Sequence, residues 1–177
     1  GAPTLRQYQV GRCATQGMFA SKEARQAIQY AVDRDAINEA VLEGTSAPNQ
    51  TVLAPTSPYF NKSLAKTYTH DPKKAKALLK KAGVAPGTKV KMLVPSQPPF
   101  PALGEVVQSQ LDAVGLDAEI TLTTNYASDA ITTKPDMYTI TFDPSLFRLY
   151  WDTQSPPNPC AYHSDALVSA VNATKDP

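Results

Sequence analysis

Between Lys89 and Leu122 the hydrophobic period changes twice, and this most restricts what the chain can fold into. Val90, Met92 and Val94 alternate with Lys89, Lys91 and Leu93, and a proline cluster from Pro95 to Pro101 closes that run. Leu103, Val106, Val107, Gln110, Leu111 and Val114 then follow helical spacing up to Gly115, after which Ala118, Ile120 and Leu122 alternate again. The order is strand, helix, strand. With a helix long enough to cross over, such a unit makes a right-handed connection between parallel strands. The chain is therefore expected to be α/β.

The flanking segments fit that class. Leu5 to Val10 alternates apolar and polar residues as a half-buried strand does. Ser21 is a good N-cap for a helix carrying Ala24, Ala27, Ile28, Ala31 and Val32, and that helix is expected to run to about Tyr30 to Val32. Asp33 and Asp35 offer a second cap for a stripe of Ile37, Ala40 and Val41 that stops at Gly44. From Gly44 to Tyr68, Pro48, Pro55 and Pro58 forbid a long helix and predict an ordered loop. Asp71-Pro72 opens a helix whose apolar face is Ala75, Leu78, Leu79 and Ala82 and which Gly83 ends. A short polar helix is expected around Ala127 to Ile131 and a strand over Met137 to Phe142. Two short helices, Pro144 to Trp151 and Ser164 to Ala173, are expected around a proline-rich loop at Pro156 to Pro159.

Charge and composition narrow the function. Seventeen Lys and Arg against sixteen Asp and Glu give a formal net charge of +1, which removes a chain-wide electrostatic argument for nucleic acid or an anionic membrane. No stretch approaches the roughly 18 to 20 apolar residues of a membrane span, and Gly1 to Tyr8 lacks a basic segment followed by an apolar core, so a soluble chain is expected. Two histidines, His70 and His163, are too few for a multi-histidine metal site, and no cofactor is expected. Gly83 to Lys89 has the glycines of a phosphate loop at the wrong spacing, with the Lys and Thr reversed and a strand following, so a helix-ending turn is expected there.

Three clusters could carry chemistry. Cys160 and His163, three apart, could form a thiol-imidazole pair for a small hydrolase, but nothing marks an orienting group or an oxyanion hole. Lys73, Lys74, Lys76, Lys80 and Lys81 share one helix and could bind nucleic-acid phosphates; without interleaved aromatics they read as a solvated face. Tyr138, Phe142, Phe147, Tyr150, Trp151 and Tyr162 surround Asp143, Pro144 and Asp152, a composition that suits a ligand with apolar bulk and a positive end, or aromatic packing at a strand end. Cys13 and Cys160 fit neither a zinc ribbon nor a CxxC pair; their spacing leaves a disulfide and two unpaired thiols equally open.

Several stretches read together resemble one family. Arg25-Gln26-Ala27-Ile28, Tyr30 to Ile37, Ala40-Val41-Leu42 and Gly44, followed by His70-Asp71-Pro72-Lys73-Lys74-Ala75-Lys76-Ala77-Leu78-Leu79 and Lys81-Ala82-Gly83, resemble the family 5 extracellular solute-binding proteins of peptide and nickel ABC transporters. Gln108 to Gly115 and Tyr162 to Val171 are similar to it as well. The resemblance implies a type II periplasmic-binding-protein-like lobe, a small mixed sheet flanked by helices, with no enzyme activity. It implies a hinge or crossing segment over residues 1–20, a ligand-binding lobe over 21–155, and a return segment with a terminal helix over 156–177. Members are longer, so a second lobe is missing here, and the chain is expected to be a fragment or a reduced relative.

The family further implies partners and site residues. A peptide or other small solute would be held by closure against the missing lobe, and the full-length protein would meet an ABC permease outside the cytoplasm, in the periplasm or as a cell-surface lipoprotein. In peptide-binding members an aspartate after the corresponding strand takes the peptide ammonium; here Asp143 precedes Pro144, though the usual Gly-Trp pair is absent. Tyr138, Thr141, Phe142, Asp143 and Trp151 are accordingly expected at the ligand. The family's crossing segments run side by side at the hinge, which implies that Cys13 and Cys160 form a disulfide.

Overall fold

The computed structural model describes residues 7–13, 17–46, 48, 50, 60–65 and 67–142. Five helices and four strands lie among them. Strand β1 is Gln7–Arg12 and helix α1 Lys22–Ala31, followed by α2 over Arg34–Leu42, α3 over Pro72–Lys81 and β2 over Thr88–Pro95. Helix α4 (Phe100–Ala113), β3 (Leu116–Thr123), α5 (Tyr126–Thr133) and β4 (Met137–Phe142) complete the order.

The expected crossover unit is present. Strands β2 and β3 pair in parallel from Thr88 opposite Leu116 to Pro95 opposite Thr123, with α4 connecting them. The sheet order is β1-β4-β2-β3. Strand β4 lies parallel to β2, with Met137 opposite Met92 and Tyr138 opposite Leu93, while β1 runs antiparallel to β4 at the edge. The sheet is thus mixed. Its core face joins Val90, Met92 and Val94 to Leu103, Val107 and Leu111 of α4, to Ala27, Ile28 and Ala31 of α1, and to Ala75 and Leu79 of α3. Burying each of the larger side chains contributes about 1.5–3 kcal/mol, so this layer accounts for the helices' shared orientation.

Local chemistry sets the helix ends. The Ser21 hydroxyl accepts the Ala24 N–H at 3.3 Å to start α1, and Asp33 Oδ1 accepts that of Ala36 at 3.0 Å to start α2. Asp71 Oδ1 accepts the Lys74 N–H at 2.9 Å to start α3, with Pro72 in the first turn where its missing N–H costs nothing. Asp35 lies in the first turn of α2 and caps nothing; its charge there favours the helix N-terminus. Gly83 and Gly87, at φ 74° and 77°, form the turn between α3 and β2 expected in place of a phosphate loop.

Three boundaries differ from expectation. Strand β1 continues past Val10 to Arg12, because its pairing with β4 extends to Met137. Helix α4 starts at Phe100, inside the proline cluster, since a proline in the first helical turn lacks only an N–H that has no partner there anyway. A 3-10 turn at Gly17–Ala20 buries Phe19, a contact no periodicity marks. The two helices expected over Pro144 to Trp151 and Ser164 to Ala173 lie outside the described residues. No helix among the described residues is long and apolar enough to cross a membrane.

Candidate functional site

The three parallel strands end on one edge of the sheet, at Pro95, Thr123 and Phe142, the edge at which open α/β sheets bind ligands. Strand β4 reaches it with Thr139 to Phe142, beyond its last registered pair with β2 at Tyr138. Beside it the antiparallel β1 brings Tyr8 opposite Thr141. The Tyr8 ring meets Phe100, at the start of α4, edge-on at 5.6 Å between centroids. At 44% exposure, Tyr8 is an aromatic surface at this edge that the sequence reading did not single out. Its place in the alternating run before Val10 was the available signal.

Alternation along β4 divides the residues expected at the ligand. Tyr138 pairs with Gly11 and Thr141 with Tyr8, so the two lie on opposite faces of the sheet. Thr141 shares a face with Met137 and Thr139, both fully buried. Phe142 occupies the register position opposite Gln7. Asp143, Trp151, Cys160 and His163 lie outside the described residues, so the structure assigns them no place. The thiol-imidazole pair of the hydrolase reading falls there too.

Two further residues of β1 bear on the site. Gly11 has no side chain where the Tyr138 ring lies: a Cβ there would fall 2.2 Å from Tyr138 Cζ and 2.6 Å from its hydroxyl oxygen. Arg12 follows, and its Nε is buried with no hydrogen-bond partner among the described residues. Burial lowers the Arg12 pKa from its ordinary value, and the nearby Arg25 adds to this. Arg25 and Arg34 each donate to main-chain oxygens, Arg25 to those of Phe19 and Ala20 at 2.7 and 2.9 Å, Arg34 to those of Gln29 and Val32 at 3.2 Å. Burial also lowers the Arg34 pKa, with Arg12 the next contributor. This end of β1 is therefore an electropositive knot opposite the carboxyl edge.

A main-chain clamp holds the same end. Asp136 accepts the Cys13 N–H on its carbonyl at 2.8 Å and the Lys91 N–H on Oδ2 at 3.0 Å, and donates its own N–H to Lys91 O at 2.9 Å. It thereby ties the start of β4 to β1 and β2. Cys13 is fully buried and is not a free thiol.

The helix-corner-helix is structural. Asp33 Oδ2 stands 3.1 Å from His70 Nδ1, and Gln110 Oε1 of α4 accepts the Asp33 N–H at 3.0 Å, so the corner is fastened to the start of α3 and to α4. The lysines of α3 also have structural uses. Lys74 Nζ lies 4.2 Å from the centre of the Tyr30 ring, and Lys81 Nζ lies 3.4 Å from Glu23. Among the described residues no group of His, Cys, Asp and Glu could hold a metal ion.

A sequence model of the bacterial extracellular solute-binding proteins, family 5 Middle, matches residues 3–166. The chain belongs to this family. This family 5 chain is 37% identical over 103 residues to a dipeptide-binding protein of Escherichia coli (strain K12), covering 55% of this chain and 19% of that protein. A nickel-binding periplasmic protein of the same strain is 46% identical over 59 residues, 33% of this chain and 11% of that protein. The chain spans about a fifth of the length of the dipeptide-binding relatives it matches. Among solved structures, the periplasmic binding protein DppA from Helicobacter pylori in complex with peptide STSA superposes with a TM-score of 0.83 at 24% identity, over 96% of this chain and 35% of that one. NikA from Staphylococcus aureus in complex with Ni(L-His)2 gives 0.82 at 18% identity, over 96% and 38%. The fold is that of a type II periplasmic binding protein over part of a lobe, and the family comprises solute-binding proteins rather than enzymes.

Proposed function

We propose that this chain is the solute-contacting lobe of an extracytoplasmic binding protein that serves an ABC importer for peptides or peptide-like solutes. The observation that carries this is the family match over residues 3–166, together with the length of the matches to proteins named for dipeptides. The match to a nickel-binding protein covers fewer residues. The solute is held by closure against a second lobe outside this chain, and the chain itself catalyses nothing. Residues 1–20 and 156–177 form the crossing segments and 21–155 the lobe, with β1 lending its strand to the lobe's sheet.

In this reading the solute lies across the carboxyl end of β4, touching Thr141, Phe142, Asp143 and Trp151, and extends back along the outer face of the strand to Tyr138, four residues before that end. Asp143 takes the cationic end. Support comes from the carboxyl edge of the parallel strands and from the exposed Tyr8 beside Thr141. The test is native mass spectrometry of the chain after incubation with a mixed peptide pool. A retained peptide whose capture falls on Asp143→Asn is expected; no retained mass, or capture indifferent to that change, would refute the assignment.

The same reading includes a Cys13–Cys160 disulfide and, in the full-length protein, export to the periplasm or to the cell surface as a lipoprotein. Cys13 is buried without a free thiol, and Cys160 is the one other cysteine of the sequence. Closing so long a loop stabilises by about 4 to 5 kcal/mol in the chain-entropy model. Iodoacetamide without reductant is expected to label neither cysteine in the urea-unfolded chain, and Cys160→Ser to lose most of that stability; labelling of both would exclude the bridge.

A further inference from the structure

The chemistry of Tyr138 depends on a neighbour with no side chain. In the antiparallel β1–β4 ladder Gly11 stands directly opposite Tyr138, and the ring folds across the ladder onto the glycine. A Cβ built at Gly11 would lie 2.2 Å from Cζ, 2.4 Å from Cε2 and 2.6 Å from the hydroxyl oxygen, where no real Cβ can sit. These are atoms at the far end of the ring, so what the glycine fixes is the position of the hydroxyl. A glycine inside a strand otherwise weakens it, and close approach of another group is a physical reason for one. On either side Val10 and Arg12 carry ordinary side chains, both directed to the other face of the sheet.

We infer that Gly11 is a positioning residue for solute recognition: its bare backbone seats the Tyr138 ring across β1 and so sets where the Tyr138 hydroxyl meets the solute. This rests on the placement of Tyr138 at the ligand proposed above. A methyl at position 11 does not touch the solute; it lifts the ring. Loss of binding from Gly11→Ala therefore depends on the ring being present, which separates this role from a general need for glycine in the strand.

The test combines a ring-seating signature with a binding cycle. In the NMR spectrum the Gly11 α-protons are expected upfield of the ordinary glycine range, from the ring current of Tyr138, and to return to it in Tyr138→Leu. Titration with the dipeptide Met-Leu is expected to move the Tyr138 ring resonances. Gly11→Ala is expected to weaken Met-Leu binding about tenfold in the Tyr138 background and to change it less than about twofold in the Tyr138→Leu background. Equal losses in the two backgrounds, or Gly11 α-protons at ordinary shifts, would overturn the inference. Met-Leu shifts elsewhere in the chain that leave Tyr138 unmoved would overturn it alone, whereas no Met-Leu shift at any residue would overturn the solute reading with it.

Discussion

Helix α4 packs Gly104 against the central strand so closely that the usual gain from replacing a helical glycine should reverse. A methyl on Gly104 would stand 3.1 and 3.2 Å from the two γ-carbons of Val94 and 3.5 Å from Ile120 Cδ1, whereas comfortable carbon contacts lie at about 3.5–4.0 Å. Val94 is fully buried in β2, between β4 and β3. Clearing both of its methyls by rotation would take a β-branched side chain out of its preferred rotamer. Relief must come from α4 moving outward by a few tenths of an ångström. Overpacking of this kind costs roughly 1–3 kcal/mol, and alanine over glycine in a helix returns about 1 kcal/mol. Taking the middle of the first range, about 2 less about 1 leaves Gly104→Ala destabilised by about 1 kcal/mol, or about 2–4 °C in Tm for a chain of this size. Urea unfolding followed by circular dichroism should show a lower midpoint with unchanged slope. In the Gly104→Ala, Val94→Ala double variant the clash is gone, and the alanine at 104 should add stability relative to Val94→Ala alone. A single Gly104→Ala variant more stable than the parent would refute the packing argument.

Two other perturbations follow from named contacts. Arg12→Met keeps the length of the side chain and removes a buried Nε with no partner among the described residues, so a gain of about 1–2 kcal/mol in urea unfolding is expected; a comparable loss would contradict that reading. Glu23 has its pKa lowered, first by a hydrogen bond from its own backbone N–H and then by Lys81, so its contribution is complete above the ordinary carboxylate pKa and is lost as pH falls through the lower folded value. The Tm difference between the parent and Glu23→Gln should therefore be present at neutral pH and close on acidification through that range; a difference that widens in acid would contradict the assignment.

What could be read from the sequence was whatever local chemistry decides. Ser21, Asp33 and Asp71 announce helices because each side chain has an N–H waiting three residues on, and the structure uses all three. Met137 to Phe142 was legible as a strand to the residue, since alternation and flanking polar segments leave little else. The strand order was not, because β4 inserts between β1, more than a hundred residues away in the chain, and β2, and alternation within a strand says nothing about its neighbours. The strand period sends Tyr138 and Thr141 to opposite faces of the sheet, as alternation alone gives for residues three apart. Gly11 carried a signal, a glycine at the end of an alternating run, but what approaches it is set by β4. The burial of Arg12 gave no signal, since an arginine closing a strand is ordinarily solvated.

The central claim, that a peptide-like solute rests on the carboxyl end of β4, is tested most directly by hydrogen exchange of the backbone amides with and without the captured peptide pool. The account predicts slowed exchange concentrated in Tyr138 to Trp151 and around Tyr8, with none at the opposite edge near Gly87 and Gly115. Protection at Gly87 and Gly115, or none anywhere while peptide is demonstrably bound, would contradict it.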